Sequence, residues 1–137
     1  MKKIVVDMTQ HRLYALENGK VIHWWGCVIG RPGADTRCGT FRIRAKHRDY
    51  VSKAYKVPMP YTMFFDRGRA IHATGVAYGR SFLQAVGLGS VGSHGCVGLS
   101  RGAARFLFDW AVVGTPVEVT RTSGLTDDSP PWPAPTE

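Results

Sequence analysis

The segment Ser93-His94-Gly95-Cys96 combines the residue types that a cysteine nucleophile requires. A thiol attacks a carbonyl only as its thiolate, so it needs a base nearby to take the proton. Glycine neighbours let a substrate approach the backbone closely. The backbone N–H groups of Gly95 and Cys96, ahead of a predicted helix, suit an oxyanion hole. We therefore predict that Cys96 is a nucleophile for acyl transfer.

His72 is the candidate general base because it closes a predicted strand, Ala70-Ile71-His72, just before the small residues 73–75. An imidazole at a strand end can accept the thiol proton at one nitrogen while its other nitrogen donates to a backbone carbonyl. A lone histidine in this position is more often a structural, hydrogen-bonded side chain. Its occurrence together with the Ser-His-Gly-Cys segment favours the catalytic interpretation.

A zinc site is the alternative use of these side chains. His72, His94 and Cys96 would supply three ligands of the kind that catalytic zinc uses. The chain has neither Cys-x-x-Cys nor His-Glu-x-x-His spacing. We therefore predict no metal at this position.

Length and composition indicate one folded domain. The chain has 137 residues, of which 44% are apolar and 20% charged, as in ordinary globular proteins. The chain lacks an apolar run long enough for a membrane span, and Asp7 interrupts the only segment that resembles a signal peptide. We expect no transmembrane segment and no export signal, which leaves a processed form or a secreted effector open.

The net charge of +8 favours polyanionic partners. Arg42, Arg44, Lys46 and Arg48 alternate with other residues and would point to one side of an extended strand. Such a stripe can bind phosphates, although a solvated sheet face is the more common explanation. Trp24 and its neighbours suit core packing better than base stacking, so no nucleic acid is expected.

Alternating apolar residues and turn signals predict a β-rich domain over residues 1–121. The turn Glu17-Asn18-Gly19-Lys20 is typical of a tight hairpin. Strands are predicted over 4–7, 12–16, 21–29, 40–46, 62–65, 70–73 and 115–120, with a break at 58–61. One helix should begin after its cap Ser100, run over 101–113 and end at Gly114. Residues 122–137 read as a flexible Pro-rich tail.

Cys27 and Cys38 complete the set of three cysteines. An odd number does not suit a disulfide framework. We expect two partly buried free thiols, with a cross-strand pair as the alternative.

The order of motifs in this chain resembles that of the L,D-transpeptidase catalytic domain family, also called the YkuD or ErfK type. The likeness spans nearly the whole folded part. The matching segments are Ile4-Val5-Val6-Asp7, Gly30-Arg31-Pro32-Gly33, Gly39-Thr40-Phe41-Arg42-Ile43, Met59-Pro60-Tyr61, Ala70-Ile71-His72, Ser93-His94-Gly95-Cys96 and Gly114-Thr115-Pro116-Val117.

The resemblance implies a closed or nearly closed β-barrel or sandwich with one principal helix. It also implies an enzyme of the cell envelope that forms a thioester between Cys96 and a peptidoglycan stem peptide, with His72 as base, His94 positioning the site and Ser93 contacting the substrate. Transfer to an amine would crosslink stem peptides. Neither a metal nor an organic cofactor is implied.

Three features depart from the family pattern. Gly98 stands where the family has Arg or Asn, a polar contact that Arg101 or Arg105 would have to replace. The loop over 74–92 is longer than usual, and Arg37 and Cys38 replace Pro and Thr. Two alternatives therefore stay open: an L,D-carboxypeptidase or endopeptidase, including one secreted as a toxin, and a non-catalytic module that binds anionic envelope polymers.

Overall fold

The computed structural model describes residues 1–29, 38–51, 58–66, 68–73 and 96–126. These residues form strands and one helix. In chain order the elements are β1 (Lys2–Asp7), β2 (Arg12–Glu17), β3 (Lys20–Gly26), β4 (Gly39–Arg42), β5 (Ala45–Val51), β6 (Pro58–Asp66), β7 (Arg69–Ala73), β8 (Val97–Leu99), α1 (Arg101–Trp110) and β9 (Pro116–Thr120).

The strands form two sheets. One has the order β3-β2-β1-β9-β4 and the other the order β5-β6-β7-β8. Parallel pairing joins β1 to β9 and β7 to β8, and the remaining pairs are antiparallel. Within the described residues neither sheet closes on itself. The predicted mainly β fold with one helix is confirmed, as two open sheets rather than a barrel.

The hairpin between β2 and β3 confirms the turn prediction. Asn18 and Gly19 have φ angles of 54° and 82°, the left-handed values that a two-residue hairpin loop requires. Glu17 and Lys20 face each other directly across the strands. The Asn-Gly pair therefore sets the register of this edge of the sheet.

One hydrophobic core joins both sheets to a single face of α1. The helix begins where predicted, because the Ser100 hydroxyl oxygen accepts a hydrogen bond of 3.3 Å from the Ala103 N–H. Its buried face contributes Ala103, Ala104, Leu107 and Phe108. Larger members of the core from the sheets are Ile4, Leu13, Trp25, Ile43, Met63, Phe65, Ile71 and Leu99.

The end of α1 lies three residues before the predicted one, at Trp110 rather than Val113. Two lysines from distant strands bind its last carbonyl oxygens. Lys46 Nζ donates to Phe108 and Ala111 over 2.5 and 2.7 Å, and Lys2 Nζ donates to Trp110 over 2.7 Å. Positive charges at this end also interact favourably with the negative pole of the helix dipole.

The predicted strand over 40–46, with its cationic stripe, was wrong. The chain leaves the first sheet after Arg42 and enters the second at Ala45. Lys46 then binds the end of α1, and Arg48 forms an ion pair of 3.2 Å with Asp109. Two of the four basic side chains therefore stabilise the helix, and Arg42 donates to the Gly114 carbonyl.

Prolines 58 and 60 belong to β6, where the sequence predicted a break. They pair with β5 through Val51↔Pro58 and Asp49↔Pro60. Pairing between β6 and β7 begins only at Met63. The part of β6 that contains Pro58 and Pro60 therefore pairs with only one of the described strands. Proline, which has no backbone N–H to donate, is tolerated on such an edge.

Ordered contacts continue past residue 121, where the sequence placed the start of a flexible tail. The carboxylate of Asp7 accepts hydrogen bonds from the Ser123 N–H at 2.8 Å and the Ser123 hydroxyl at 2.6 Å. Leu125 packs beside Val5 and Tyr14 on the outer face of the first sheet. Residues 127–137 lie outside the described part, so the predicted boundary after residue 121 stays a prediction. No helix in the described part of the chain is long and apolar enough to cross a membrane.

Candidate active site

The candidate site is built on the parallel pair β7 and β8. Ile71, His72 and Ala73 lie beside Val97, Gly98 and Leu99 in that order. The sequence did not predict β8, and it placed Cys96 directly ahead of the helix. The three-residue strand stands between them, so the side chain of Cys96 is oriented by the sheet and not by the N-terminus of α1.

The alternation of side chains puts His72 and Cys96 on one face of the second sheet. Ile71 and Val97 are fully buried members of the core. Side chains of successive strand residues point to opposite faces. His72, and Cys96 one residue before β8, therefore share the face that points away from this core. The predicted base and the predicted nucleophile thus lie on one face of adjacent strands, and no hydrogen bond joins His72 Nε2 to the Cys96 sulfur.

Cys96 is held in a buried position with its sulfur over the turn between β6 and β7. It is 6% exposed, and its Sγ lies 3.9 Å from the Gly68 carbonyl oxygen. Burial raises the pKa of the Cys96 thiol, although a hydrogen bond from the Ala70 backbone and the charge of Arg69 act in the opposite direction. The resting side chain is therefore a thiol that needs a base.

His72 is the predicted candidate for that base. It is 1% exposed, and its Nδ1 lies 2.9 Å from the Ala73 carbonyl oxygen. A carbonyl only accepts, so Nδ1 carries the proton. Burial lowers the pKa of His72, and the hydrogen bond to Ala73 offsets this only in part. The neutral ring therefore presents an unprotonated Nε2, which has no hydrogen-bond partner among the described residues.

Arg69 is a charged neighbour of the site that the sequence analysis missed. It stands between Gly68 and Ala70, both of which contact the Cys96 sulfur through their backbones. Its guanidinium lies 3.4 Å from the buried carboxylate of Asp66. Only its position three residues before His72 could have marked it. Arg69 supplies a positive charge beside the thiol.

Gly98 is fixed by backbone hydrogen bonds on the side away from His72. Its N–H donates to the Val28 carbonyl at 2.7 Å, and its own carbonyl accepts from the Val28 N–H at 2.9 Å. The Gly98 N–H is therefore unavailable to a substrate oxyanion. The predicted oxyanion hole would have to rely on Gly95 and Cys96.

Three predicted site residues, Ser93, His94 and Gly95, lie outside the described residues, so their roles stay predictions. Arg101 is described, and its guanidinium lies over the Tyr61 ring at 5.6 Å. Tyr61 in turn packs against the core. This contact of Arg101 is on the helix side of the sheet, and its role as a substrate contact stays a prediction.

A family model, the L,D-transpeptidase catalytic domain, matches residues 1–119. The chain belongs to the L,D-transpeptidase catalytic domain family. This confirms the family that the motif order indicated, and it makes the chain a member of a family of enzymes.

Relatives of known structure share the fold of this L,D-transpeptidase domain. An L,D-transpeptidase from Stackebrandtia nassauensis is 30% identical, with a TM-score of 0.74 over 88% of this chain and 56% of that one. One from Mycobacterium smegmatis is 25% identical, with a TM-score of 0.72 over 87% of this chain and 58% of that one.

A curated relative places the domain within longer proteins. L,D-transpeptidase 1 of Mycobacterium tuberculosis is 27% identical over 123 residues. The match covers 84% of this chain and 49% of the relative. The L,D-transpeptidase domain therefore spans about half the length of that protein.

The zinc alternative rests on His94, which lies outside the described residues. Among the residues that the structure describes, no three His, Cys, Asp or Glu side chains form a group that could hold a metal ion. His72 and Cys96 therefore have no third described ligand beside them.

The other two cysteines of the L,D-transpeptidase domain are free thiols. Burial, with a contribution from Asp7, raises the pKa of Cys27 to about 12. Cys38 is exposed, and its Sγ lies 3.7 Å from Met8 Sδ. The prediction of partial burial was therefore wrong for Cys38. Cys27 is therefore a protonated thiol at neutral pH.

Proposed function

We propose that this domain transfers an acyl group from a peptidoglycan stem peptide to an amine through a thioester on Cys96. The observation that carries the proposal is the shared sheet face of Cys96 and His72. A buried thiol with a raised pKa and a neutral histidine with a free Nε2 are complementary as acid and base.

The first half of the reaction forms the thioester. His72 Nε2 takes the Sγ proton, and the thiolate attacks the carbonyl carbon between an L- and a D-centre of the stem peptide. The carbonyl oxygen becomes an oxyanion facing the backbone N–H groups of Gly95 and Cys96. When the C–N bond breaks, the leaving amine takes the proton back from the His72 imidazolium.

The second half releases the acyl group. An acceptor amine loses a proton to His72 as it attacks the thioester carbonyl, and the C–S bond breaks to return the Cys96 thiolate. That thiolate recovers its proton from His72. The ring needs no carboxylate partner in either half, because the Ala73 carbonyl already fixes its tautomer.

Hydrolysis of the same peptides is the second candidate. Gly98 lies directly beside His72 and offers no polar side chain there to hold an acceptor. Water could then take the place of the amine in the second half. The active residues would be the same, and the domain would act as an L,D-carboxypeptidase or endopeptidase.

The substrate implies a place in the cell envelope, where stem peptides are found. Anionic envelope polymers are a weaker proposal, because Lys46 and Arg48, two members of the basic segment, bind the end of α1. Salt-dependent binding to such polymers without turnover of any stem peptide would favour that non-catalytic alternative.

Product analysis by mass tests the proposal. The purified domain is incubated with a disaccharide tetrapeptide, with and without an added amine acceptor. Crosslinked dimers or acceptor adducts indicate a transpeptidase, and tripeptide alone indicates a hydrolase. Identical products from wild type and Cys96→Ala would show that Cys96 is not the nucleophile.

A further inference from the structure

The Cys96 thiol and the His72 ring are not hydrogen-bonded to each other, although they share one sheet face. The thiol donates to the Gly68 carbonyl, with 3.9 Å between sulfur and oxygen, and accepts from the Ala70 backbone. The lone pair of His72 Nε2 has no hydrogen-bond partner. In this structure the candidate nucleophile is therefore held at the turn between β6 and β7 and not at its candidate base.

The buried Nε2 atom of His72 is an exception that points to a missing partner. Most buried polar atoms in proteins have a hydrogen-bond partner, and leaving one unpaired is unfavourable. His72 is 1% exposed. The partner that Nε2 lacks must be a donor, because Nδ1 already holds the proton of the ring beside the Ala73 carbonyl. A thiol is such a donor, although a weak one.

The Cys96 thiol lies within reach of Nε2. His72 pairs with Gly98, two residues beyond Cys96 on the same side of the sheet, so the Cα atoms of Cys96 and His72 are about 8 Å apart. A thiol and an imidazole that point toward each other span this distance. Rotation about the Cα–Cβ bond from one staggered position to another moves a cysteine sulfur by about 3 Å. The register of β7 and β8 therefore permits a second position for the sulfur.

We propose that Cys96 is a latent nucleophile with a resting position on Gly68 and a working position at His72 Nε2, an inference that rests on the proposed function. The donor peptide drives the change by giving an amide N–H to the Gly68 carbonyl in place of the thiol. Of the two residues that contact the sulfur, Gly68 is exposed and Ala70 is buried. The Gly68 carbonyl is therefore the contact that a donor reaches first.

This exchange gives the donor a reason to favour the working position. A ligand shifts a conformational equilibrium only if it binds one state better than the other. In the resting position the thiol occupies the side of the Gly68 carbonyl that faces Cys96, so an N–H binds there only after the thiol leaves. An amide N–H is also a stronger donor than a thiol. Burial raises the pKa of the Cys96 thiol, so the resting sulfur keeps its proton until a donor is bound.

Infrared spectroscopy of the S–H stretch tests the resting position. The wild-type spectrum minus that of Cys96→Ala isolates the Cys96 band, and the same subtraction is made in a His72→Asn background. We expect the same band in both, because the resting thiol does not bind His72. His72→Gln is the second background if His72→Asn does not fold, and His11→Asn, at an exposed histidine, is the matched control. A band that shifts only in the His72 variants would overturn the resting position.

Two rates compare the resting and working positions. Alkylation of free enzyme by iodoacetamide at neutral pH, followed at Cys96 by peptide mapping, reports on the resting thiol. Single-turnover acylation by disaccharide tetrapeptide reports on the working one. We expect His72→Asn to change the alkylation rate by less than about twofold and to slow acylation about 10²- to 10⁴-fold. Equal losses in both rates would mean a permanent contact between thiol and ring, and would overturn the proposal.

An unreactive donor tests the release of the thiol. The probe is a disaccharide tetrapeptide whose scissile carbonyl is replaced by a methylene group. At saturating concentration it should shift or remove the Cys96 band of wild type, and the disaccharide alone should not. An unchanged band would overturn release by the donor. If wild type is acylated by no stem peptide, or His72→Asn is acylated as fast as wild type, the proposed function fails instead, and the band of the free protein still decides the resting position.

Discussion

The Nδ1 atom of His72 lies 2.9 Å from the carbonyl oxygen of its neighbour Ala73. This contact fixes the proton on Nδ1 and leaves the lone pair on Nε2. The register with β8 places that ring on the same face as Cys96. In the proposed mechanism, a single backbone carbonyl would orient the imidazole as a carboxylate does in many triads.

Removal of Nε2 should abolish most of the activity. In His72→Asn the side-chain amide can still donate to the Ala73 carbonyl, but no base faces Cys96. We expect the rate of acyl transfer to fall about 10²- to 10⁴-fold with little change in thermal stability. His11→Asn, at an exposed histidine, is the control. A loss below tenfold in His72→Asn would mean that another group takes the proton.

The stability of the domain should depend on pH through His72. Burial lowers the pKa of His72 below its ordinary value of 6.5, so the unfolded chain binds the proton more readily than the folded one. Stability is then complete above pH 6.5 and falls as the pH drops from there toward the lowered pKa. Thermal melts from pH 8 to 5 should show a steeper fall in Tm for wild type than for His72→Asn. Parallel curves would contradict the burial of a neutral ring.

Arg69 should set the ionisation of Cys96. Its positive charge lowers a thiol pKa that burial raises, so Arg69→Gln should move the midpoint of iodoacetamide alkylation to higher pH and Arg69→Lys should restore it in part. The variants are made in a Cys38→Ser background, which removes the exposed thiol. Cys27, with a pKa of about 12, should not be alkylated in this pH range. Arg101→Gln, at the Tyr61 ring, is the control. Overlapping profiles for Arg69→Gln and wild type would rule out this effect.

Lys46 should contribute to the stability of α1. Lys46→Met keeps most of the side-chain stem but loses the hydrogen bonds to the carbonyls of Phe108 and Ala111. We expect a loss of about 1–2 kcal/mol in the free energy of unfolding, measured by urea denaturation. The exposed Arg44 gives the matched variant Arg44→Met, expected to change stability by less than about 0.5 kcal/mol. Equal losses of stability in the two variants would mean that Lys46, like Arg44, is only part of a solvated basic surface.

Local patterns predicted the parts of the fold that depend on local chemistry. Asn18-Gly19 fixed the hairpin, and Ser100 fixed the start of α1. The missed features depend on contacts distant in sequence. Lys2 and Lys46 bind the end of the helix from two strands, and β8 is a strand only because three residues with a central glycine lie beside β7.

The same division holds for the site. Cys96 was predicted from its residue type and its glycine neighbours. His72 was predicted from its position at the end of a strand. Their common face depends on the parallel register of β7 and β8, which no periodicity in three residues can reveal. Arg69 was missed for a related reason, because its charge acts on Cys96 only where the turn carrying Gly68 and Ala70 meets the sulfur.

The covalent intermediate on Cys96 is the most direct test of the central claim. The domain is mixed with disaccharide tetrapeptide in the absence of an amine acceptor, quenched rapidly in acid and weighed by intact-protein mass spectrometry. We predict a mass increase equal to the disaccharide tripeptide acyl group, located on Cys96 by peptide mapping and absent in Cys96→Ala. Product formation by wild type and Cys96→Ala alike, with no adduct on Cys96 in either, would contradict the account.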